Sequence, residues 1–103
     1  MKPNINKMLK DAQRAQEKMQ EEISALRCAG TSGGGVIRAV CDGNRNLVEL
    51  TISPEALEDP DPAMVADLVL AAVNDAQRVV DAEVQKKMSA LAGMMGLPPG
   101  FGF

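Results

Sequence analysis

The sequence predicts an α+β fold in which two long helices flank a small three-stranded antiparallel sheet, in the order α-β-β-β-α. Three observations carry this expectation. Apolar residues recur at helical spacing from Asn4 to about Leu26, they alternate with period two between Val36 and Ser53, and a second apolar helical stretch runs from Pro62 to about Leu91.

In the first stretch Ile5, Met8, Leu9, Ala12, Ala15, Met19, Ile23 and Leu26 follow one another at spacings of three and four, which places them on one face of an amphipathic helix. Ile5, Ala12, Met19 and Leu26 also stand seven apart, but three heptads interrupted by Ala and Gln make a weak coiled-coil seam. The expectation is therefore a helix packed on its own sheet or on a partner helix.

Gly30, Gly33, Gly34 and Gly35 end the helical pattern. In Val36 to Asp42 the residues Ile37, Ala39 and Cys41 share a face, and in Leu47 to Ser53 the residues Val48, Leu50 and Ile52 do. Asp42-Gly43-Asn44-Arg45 between them reads as a hairpin turn, with Gly and Asn supplying any positive φ. Two strands alone seldom make a stable sheet, so a third, shorter one is expected at Arg27 to Thr31, turning back through Ser32-Gly33-Gly34.

Ser53-Pro54 closes the sheet, and the linker Glu58-Asp59-Pro60-Asp61-Pro62 starts the second helix, with Asp61 as its cap and Pro62 in its first turn. Met64, Val65, Leu68, Val69, Leu70, Ala71, Ala72 and Val73 make its early half apolar nearly all round, which a single small sheet cannot cover. A second copy of the chain is the expected cover, with Leu68, Val69, Ala72 and Val73 at the dimer interface. A helix of this length spans about 43 Å at ~1.5 Å per residue, against a radius of gyration near 13 Å for a compact globule of this size, so its end should project. Residues 1–92 are assigned to one domain, and residues 93–103, rich in Gly, Pro and Met, to a flexible tail.

With 103 residues the chain has room for one domain, and a domain so small buries only a marginal core alone. Only Phe101 and Phe103 are aromatic, so the core must be built from aliphatic residues, Met and Ala. No run approaches the ~20 apolar residues of a membrane span, and Met1-Lys2-Pro3-Asn4 does not open a signal peptide, which leads to the expectation of a cytoplasmic protein without a membrane partner. Cys28 and Cys41 are too few for a disulfide framework or a zinc site and are read as buried thiols. With no histidine in the chain, the commonest general base is missing.

Gly30-Thr31-Ser32-Gly33-Gly34-Gly35 precedes a strand and lacks the Lys of a phosphate loop, so it is read as a turn. Asp59 and Asp61 are read as capping residues. No base, nucleophile and oxyanion site come together, so neither an enzyme nor a small-molecule substrate is expected.

One constellation stands out. Lys7, Lys10, Arg14 and Lys18 fall within an arc of about 80° at roughly 100° per residue, opposite the apolar face. Glu17, Glu21 and Glu22 crowd the other end of the same helix, so its charges oppose the macrodipole, at a cost of a few tenths of a kcal/mol each. Lys86 and Lys87 add a cationic pair near the end of the second helix. Taken alone, such a stripe is most often a solvated face, and Glu17 and Glu21 border it. The net charge of −3 also works against a polyanionic partner, although salt confines an acidic patch to a reach of about 8 to 10 Å.

Four segments together resemble the YbaB/EbfC nucleoid-associated family: Gln16-Glu17-Lys18-Met19-Gln20-Glu21-Glu22-Ile23, Gly33-Gly34-Gly35 before the strand, Asp67-Leu68-Val69-Leu70-Ala71-Ala72-Val73-Asn74-Asp75-Ala76, and Gly96-Leu97-Pro98-Pro99-Gly100-Phe101. The resemblance implies a homodimer shaped like tweezers, with projecting helices, that binds double-stranded DNA in nucleoid organisation or gene regulation, with no cofactor and no catalytic site. It marks no contact residues, so the expected DNA-binding set is the charge-derived one: Lys7, Lys10, Arg14, Lys18, Lys86 and Lys87. Few aromatics argue against single-strand stacking and for contact with the duplex backbone. The alternative is a dimeric helical adaptor that binds protein partners through its projecting helices or through Met88, Met94 and Met95.

Overall fold

The computed structural model describes residues 4–59, 61–94 and 96. Helix α1 (Ile5–Ala25) leads into β1 (Cys28–Ser32), a tight turn at Gly33–Gly35, β2 (Ile37–Cys41), β3 (Leu47–Ile52), a short 3-10 turn at Pro54–Leu57 and helix α2 (Pro62–Met94). The strands form one antiparallel sheet in the order β1-β2-β3. The α-β-β-β-α architecture expected from the sequence is the observed one.

Local chemistry fixes the ends of these elements. Asn4 caps α1, its side-chain oxygen accepting the Lys7 N–H at 3.0 Å. Asp61 caps α2 in the same way, accepting from the Ala63 N–H at 3.0 Å, with Pro62 in the first turn. Gly33, Gly34 and Gly35 all adopt positive φ, the left-handed conformation that a side chain would resist, and so reverse the chain between β1 and β2.

The β2–β3 hairpin departs from expectation. Neither Gly43 nor Asn44 has positive φ; Arg45 does, at 69°. The Arg45 N–H donates to the Asp42 carbonyl at 3.0 Å, giving a tight turn followed by one left-handed residue, a common three-residue hairpin loop. Gly43 is needed for another reason: its N–H donates to the Ile23 carbonyl at 3.0 Å, and a Cβ there would run into that carbonyl and the Ile23 side chain. The hairpin is thereby stitched to the end of α1.

Helix α2 packs across β1 and β2. Ala72, Ala76 and Val80 on the helix and Cys28, Ile37, Ala39 and Cys41 on the sheet form the core. The register pairs Cys28 with Cys41 and Gly30 with Ala39, so these residues share the face that meets α2. Leu50 and Ile52 stand opposite Ala39 and Ile37 on that same face, yet they are 40% and 37% exposed because α2 does not reach over β3. Val48 is the extra residue where the β2–β3 register shifts, since Val40 pairs with Glu49 and Cys41 with Leu47.

The apolar face of α1 is mostly uncovered. Ile23 is buried and Met19 and Leu26 are half-buried, but Ile5, Met8 and Leu9 are 65%, 62% and 58% exposed. The reason is shape: α1 does not lie on the sheet but projects from it beside the far half of α2. Extents of 73 × 22 × 16 Å and a radius of gyration of 19.4 Å confirm the projecting helices expected from their length. Of the tail assigned to 93–103, Gly93 and Met94 belong to α2, and residues 95 and 97–103 lie outside the described residues.

Candidate nucleic-acid interface

The projecting part of α1 presents its cations as its spacing requires. Lys7, Lys10, Arg14 and Lys18 are all exposed. Lys7, Lys10 and Arg14 line one shallow depression together with Asn4, Asn6 and Asp11. Among the described residues none of the four cations forms an ion pair. The helix has no acid in its first turn and no base in its last, so its N-terminal partial positive charge adds to the field of the lysines. Between Asn4 and Lys18 only Asp11 and Glu17 offset four cations, and the acidic surplus behind the net charge of −3 belongs to the rest of the chain.

The structure separates Lys86 and Lys87 from this cluster. Lys86 pairs with Glu83 at 3.4 Å within its own helix. Lys87 reaches across to Glu22 of α1 at 3.8 Å and is only 30% exposed. It ties the two helices together near the sheet, one helical turn beyond Lys18, and such a partly exposed pair contributes at most ~1 kcal/mol.

Other arginines have structural occupations that spacing did not reveal. The Arg27 guanidinium donates to the carbonyls of Ser24 and Leu26 at 3.0 and 2.8 Å, closing the C-terminal end of α1. Arg45 lies 3.5 Å from Asp81 and donates to Gln77, while the Gln77 side chain donates back to the Arg45 carbonyl at 3.2 Å. Two elements far apart in the chain meet there, so no local sequence signal could have shown it.

These contacts orient α2. Gln77 and Asp81 face the β3 side, whereas Asp75, which accepts the Thr31 N–H at 3.1 Å, and Leu68, whose carbonyl accepts from the Ser32 hydroxyl at 2.6 Å, face β1. By helical spacing Leu70 and Val73 fall on the same flank as Gln77. Leu70 is 60% exposed, and Val69 and Val73 are half-buried. Leu50 and Ile52 of β3 are likewise uncovered. Ala72, expected at a dimer interface, is instead a core residue: it is 0% exposed and packs against Gly30, which leaves it no surface for a second chain. Leu68 is half-buried on the β1 side.

The cysteines face each other across β1 and β2, buried against α2. Burial pushes both thiols above their usual range, helped by Glu83 near Cys28 and by Asp42 near Cys41. Such thiols stay protonated at neutral pH. Among the described residues no helix is long and apolar enough to cross a membrane.

The YbaB/EbfC DNA-binding family matches over residues 1–95. A nucleoid-associated protein of Caldanaerobacter subterraneus subsp. tengcongensis is 43% identical over 98 residues, covering 92% of this chain and 88% of that one. The crystal structure of an uncharacterized protein of Helicobacter pylori shares the fold, with a TM-score of 0.65 at 23% identity, covering 88% of this chain and 91% of that one.

Proposed function

The chain belongs to the YbaB/EbfC DNA-binding family, and from that premise we propose that it binds double-stranded DNA as a homodimer, without catalysis, on the nucleoid in the cytoplasm, where it organises DNA or regulates genes. Lys7, Lys10, Arg14 and Lys18 make the contacts, with Lys86 as a peripheral helper. Lys87 contributes only where phosphate displaces Glu22. One observation carries the reading: four exposed cations without ion-pair partners among the described residues share one face of a projecting helix.

Dimerisation supplies a second copy of that face. The cover it provides is for Leu50 and Ile52 on β3 and for Val69, Leu70 and Val73 on α2, apolar residues that the single chain leaves exposed or half-buried. The acidic body does not cancel the attraction, since a Debye length of about 8 Å at physiological salt shields the projecting helix from acids near the sheet.

The contacts go to phosphates, so binding follows counterion release and has little sequence preference. A mobility-shift titration of random duplex at several salt concentrations tests this. Log affinity should fall linearly with log salt. No binding even at low salt would sink the DNA reading and favour a dimeric adaptor for protein partners, to which the exposed Ile5, Met8 and Leu9 are suited.

A further inference from the structure

Strand β3 is the free edge of the sheet, and all of its residues from Leu47 to Ile52 are exposed. Four of them are the large apolar residues Leu47, Val48, Leu50 and Ile52. Next to the strand, Ser53 donates its N–H to the Val36 carbonyl at 2.7 Å, toward the β2 side. Along an antiparallel strand every second residue points its N–H and C=O the same way. Thr51 and Glu49 therefore bond β2, and Leu50 and Ile52 turn their backbone groups outward.

The opposite edge is closed. Thr31 on β1 donates its outward N–H to the Asp75 carboxylate at 3.1 Å, and the Ser32 hydroxyl donates to the Leu68 carbonyl at 2.6 Å, so α2 covers that edge. Among the described residues nothing serves Leu50 and Ile52 in this way. Nor does β3 carry the usual guards of an edge strand: after the register shift at Val48 it holds one charge, Glu49, and neither Lys nor Pro.

We propose that β3 pairs antiparallel with β3 of a second copy about a two-fold axis at Leu50, joining the two three-stranded sheets into one. The inference rests on the homodimer reading above and names the contact that makes the dimer. Register is its main argument. Outward residues must stand opposite outward residues, which leaves the axis at Glu49, Leu50 or Thr51. An axis at Glu49 sets two like charges directly opposite each other. An axis at Thr51 brings Pro54, which has no N–H, opposite Val48. The axis at Leu50 avoids both: Leu50 faces Leu50, Val48 faces Ile52, and Glu49 faces Thr51.

Charge agrees with this register. Arg38 stands opposite Thr51 within the chain, so Arg38, Thr51 and Glu49 of the second copy fall in one row across the joined sheet. Arg38, 4.0 Å from its own Glu49, gains a second carboxylate on the same face. Both α2 helices then lie on one face of the joined sheet, with the flanks that carry Leu70 and Val73 turned toward each other across the paired strands. An extended segment of an unrelated protein is the competing occupant. The second copy is favoured because this strand alone supplies the apolar and polar matches that the edge requires.

The test combines amide hydrogen exchange on the wild type with cross-linking of Leu50→Cys, both at a concentration where sedimentation gives a dimer. Leu50 and Ile52 should exchange within about tenfold of the rates of Glu49 and Thr51, as paired amides do. Leu50→Cys should form a disulfide-linked dimer under copper-phenanthroline and air, since paired residues of this kind stand about 5.5 Å apart between Cα atoms, within disulfide range. The wild type, whose two thiols are buried, should not. A dimer in which the Leu50 and Ile52 amides exchange as freely as open edge groups overturns the proposal and leaves the homodimer standing. So does a dimer in which Leu70→Cys cross-links and Leu50→Cys does not. A folded monomer at micromolar concentration removes the homodimer and the strand pairing together. Exchange is read on the wild type, so the outcome does not depend on how a variant folds.

Discussion

Gly30 on β1 meets Ala76 on α2 so closely that a side chain at position 30 has no room. A Cβ there would fall on the Ala76 backbone nitrogen and 2.5 Å from the Ala72 carbonyl oxygen. The obstacle is helix backbone, which cannot rotate away. Gly30→Ala must therefore lift α2 from the sheet, at a cost of about 1–3 kcal/mol or more. Chemical denaturation should show a lower midpoint for Gly30→Ala, while Gly34→Ala, where a Cβ meets nothing within 4 Å, should lose only what its positive φ of 73° costs.

Oligomeric state is tested at the flank of α2. Leu70 is 60% exposed in the single chain, so Leu70→Asp leaves the chain's own core intact and acts only on a partner. Sedimentation equilibrium of the wild type at micromolar concentration should give twice the 10.9 kDa chain mass. Leu70→Asp should shift that toward the monomer, because an unpaired charge at a buried interface costs several kcal/mol. An unchanged dimer would place the interface elsewhere.

For DNA, the decisive variant replaces Lys7, Lys10 and Arg14 with Gln. Gln is a comparable helix former, and the apolar face is untouched, so fold and dimer should persist. Every phosphate released from a cation in this way should lower the slope of log affinity against log salt by roughly 0.9, with equal weakening on every sequence. Wild-type affinity and slope in this variant would reduce the patch to a solvated face. Lys86→Gln should have a smaller effect, since Lys86 is held by Glu83.

The hairpin makes stability acid-sensitive. Asp42 accepts the backbone N–H groups of Asn46 and Asn44 at 3.0 and 2.9 Å, and these bonds, that from Asn46 foremost, hold its carboxyl below the ordinary 3.8. A lowered folded value means that its contribution is complete above 3.8 and is lost as pH falls through the folded value. Thermal unfolding measured from pH 5 downward should show this loss in the wild type and a shallower acid limb in Asp42→Ala.

Thiol chemistry should be silent at neutral pH. Cys28 and Cys41, buried and held above the ordinary 9.0, should resist alkylation in the native protein at pH 7 and react only on unfolding. The sign reverses relative to Asp42: their contribution is complete below 9.0 and falls as pH rises above it, because the unfolded thiols ionise first. Replacing both with Ala should leave DNA affinity unchanged in a protein that still folds, with a stability loss of about 1–3 kcal/mol each. Rapid alkylation of the native protein would contradict the burial argument.

The architecture was legible in the sequence because each element carries its own period and punctuation. Helical spacing before Leu26, alternation from Ile37 to Ile52 and the Asp61-Pro62 start of α2 are local signals, and local geometry obeyed them. The cationic face was legible for the same reason, since Lys7, Lys10, Arg14 and Lys18 share one helix and their relation is fixed by its pitch.

Relations between elements were decided only in three dimensions. Ala72 and Leu70 look alike in a run that is apolar all round, but the tilt of α2 across β1 and β2 buries one and leaves the other 60% exposed. Lys86 and Lys87 looked equivalent to the α1 cations until the pairing of the helices set Lys87 against Glu22. The positive φ expected at Gly43 or Asn44 falls on Arg45, and Gly43 serves the close approach to Ile23 instead. A one-dimensional pattern states which side of each element avoids water; which neighbour reaches that side depends on the lengths and crossing of the packed elements, and here α2 is wide enough for two strands and not for the third.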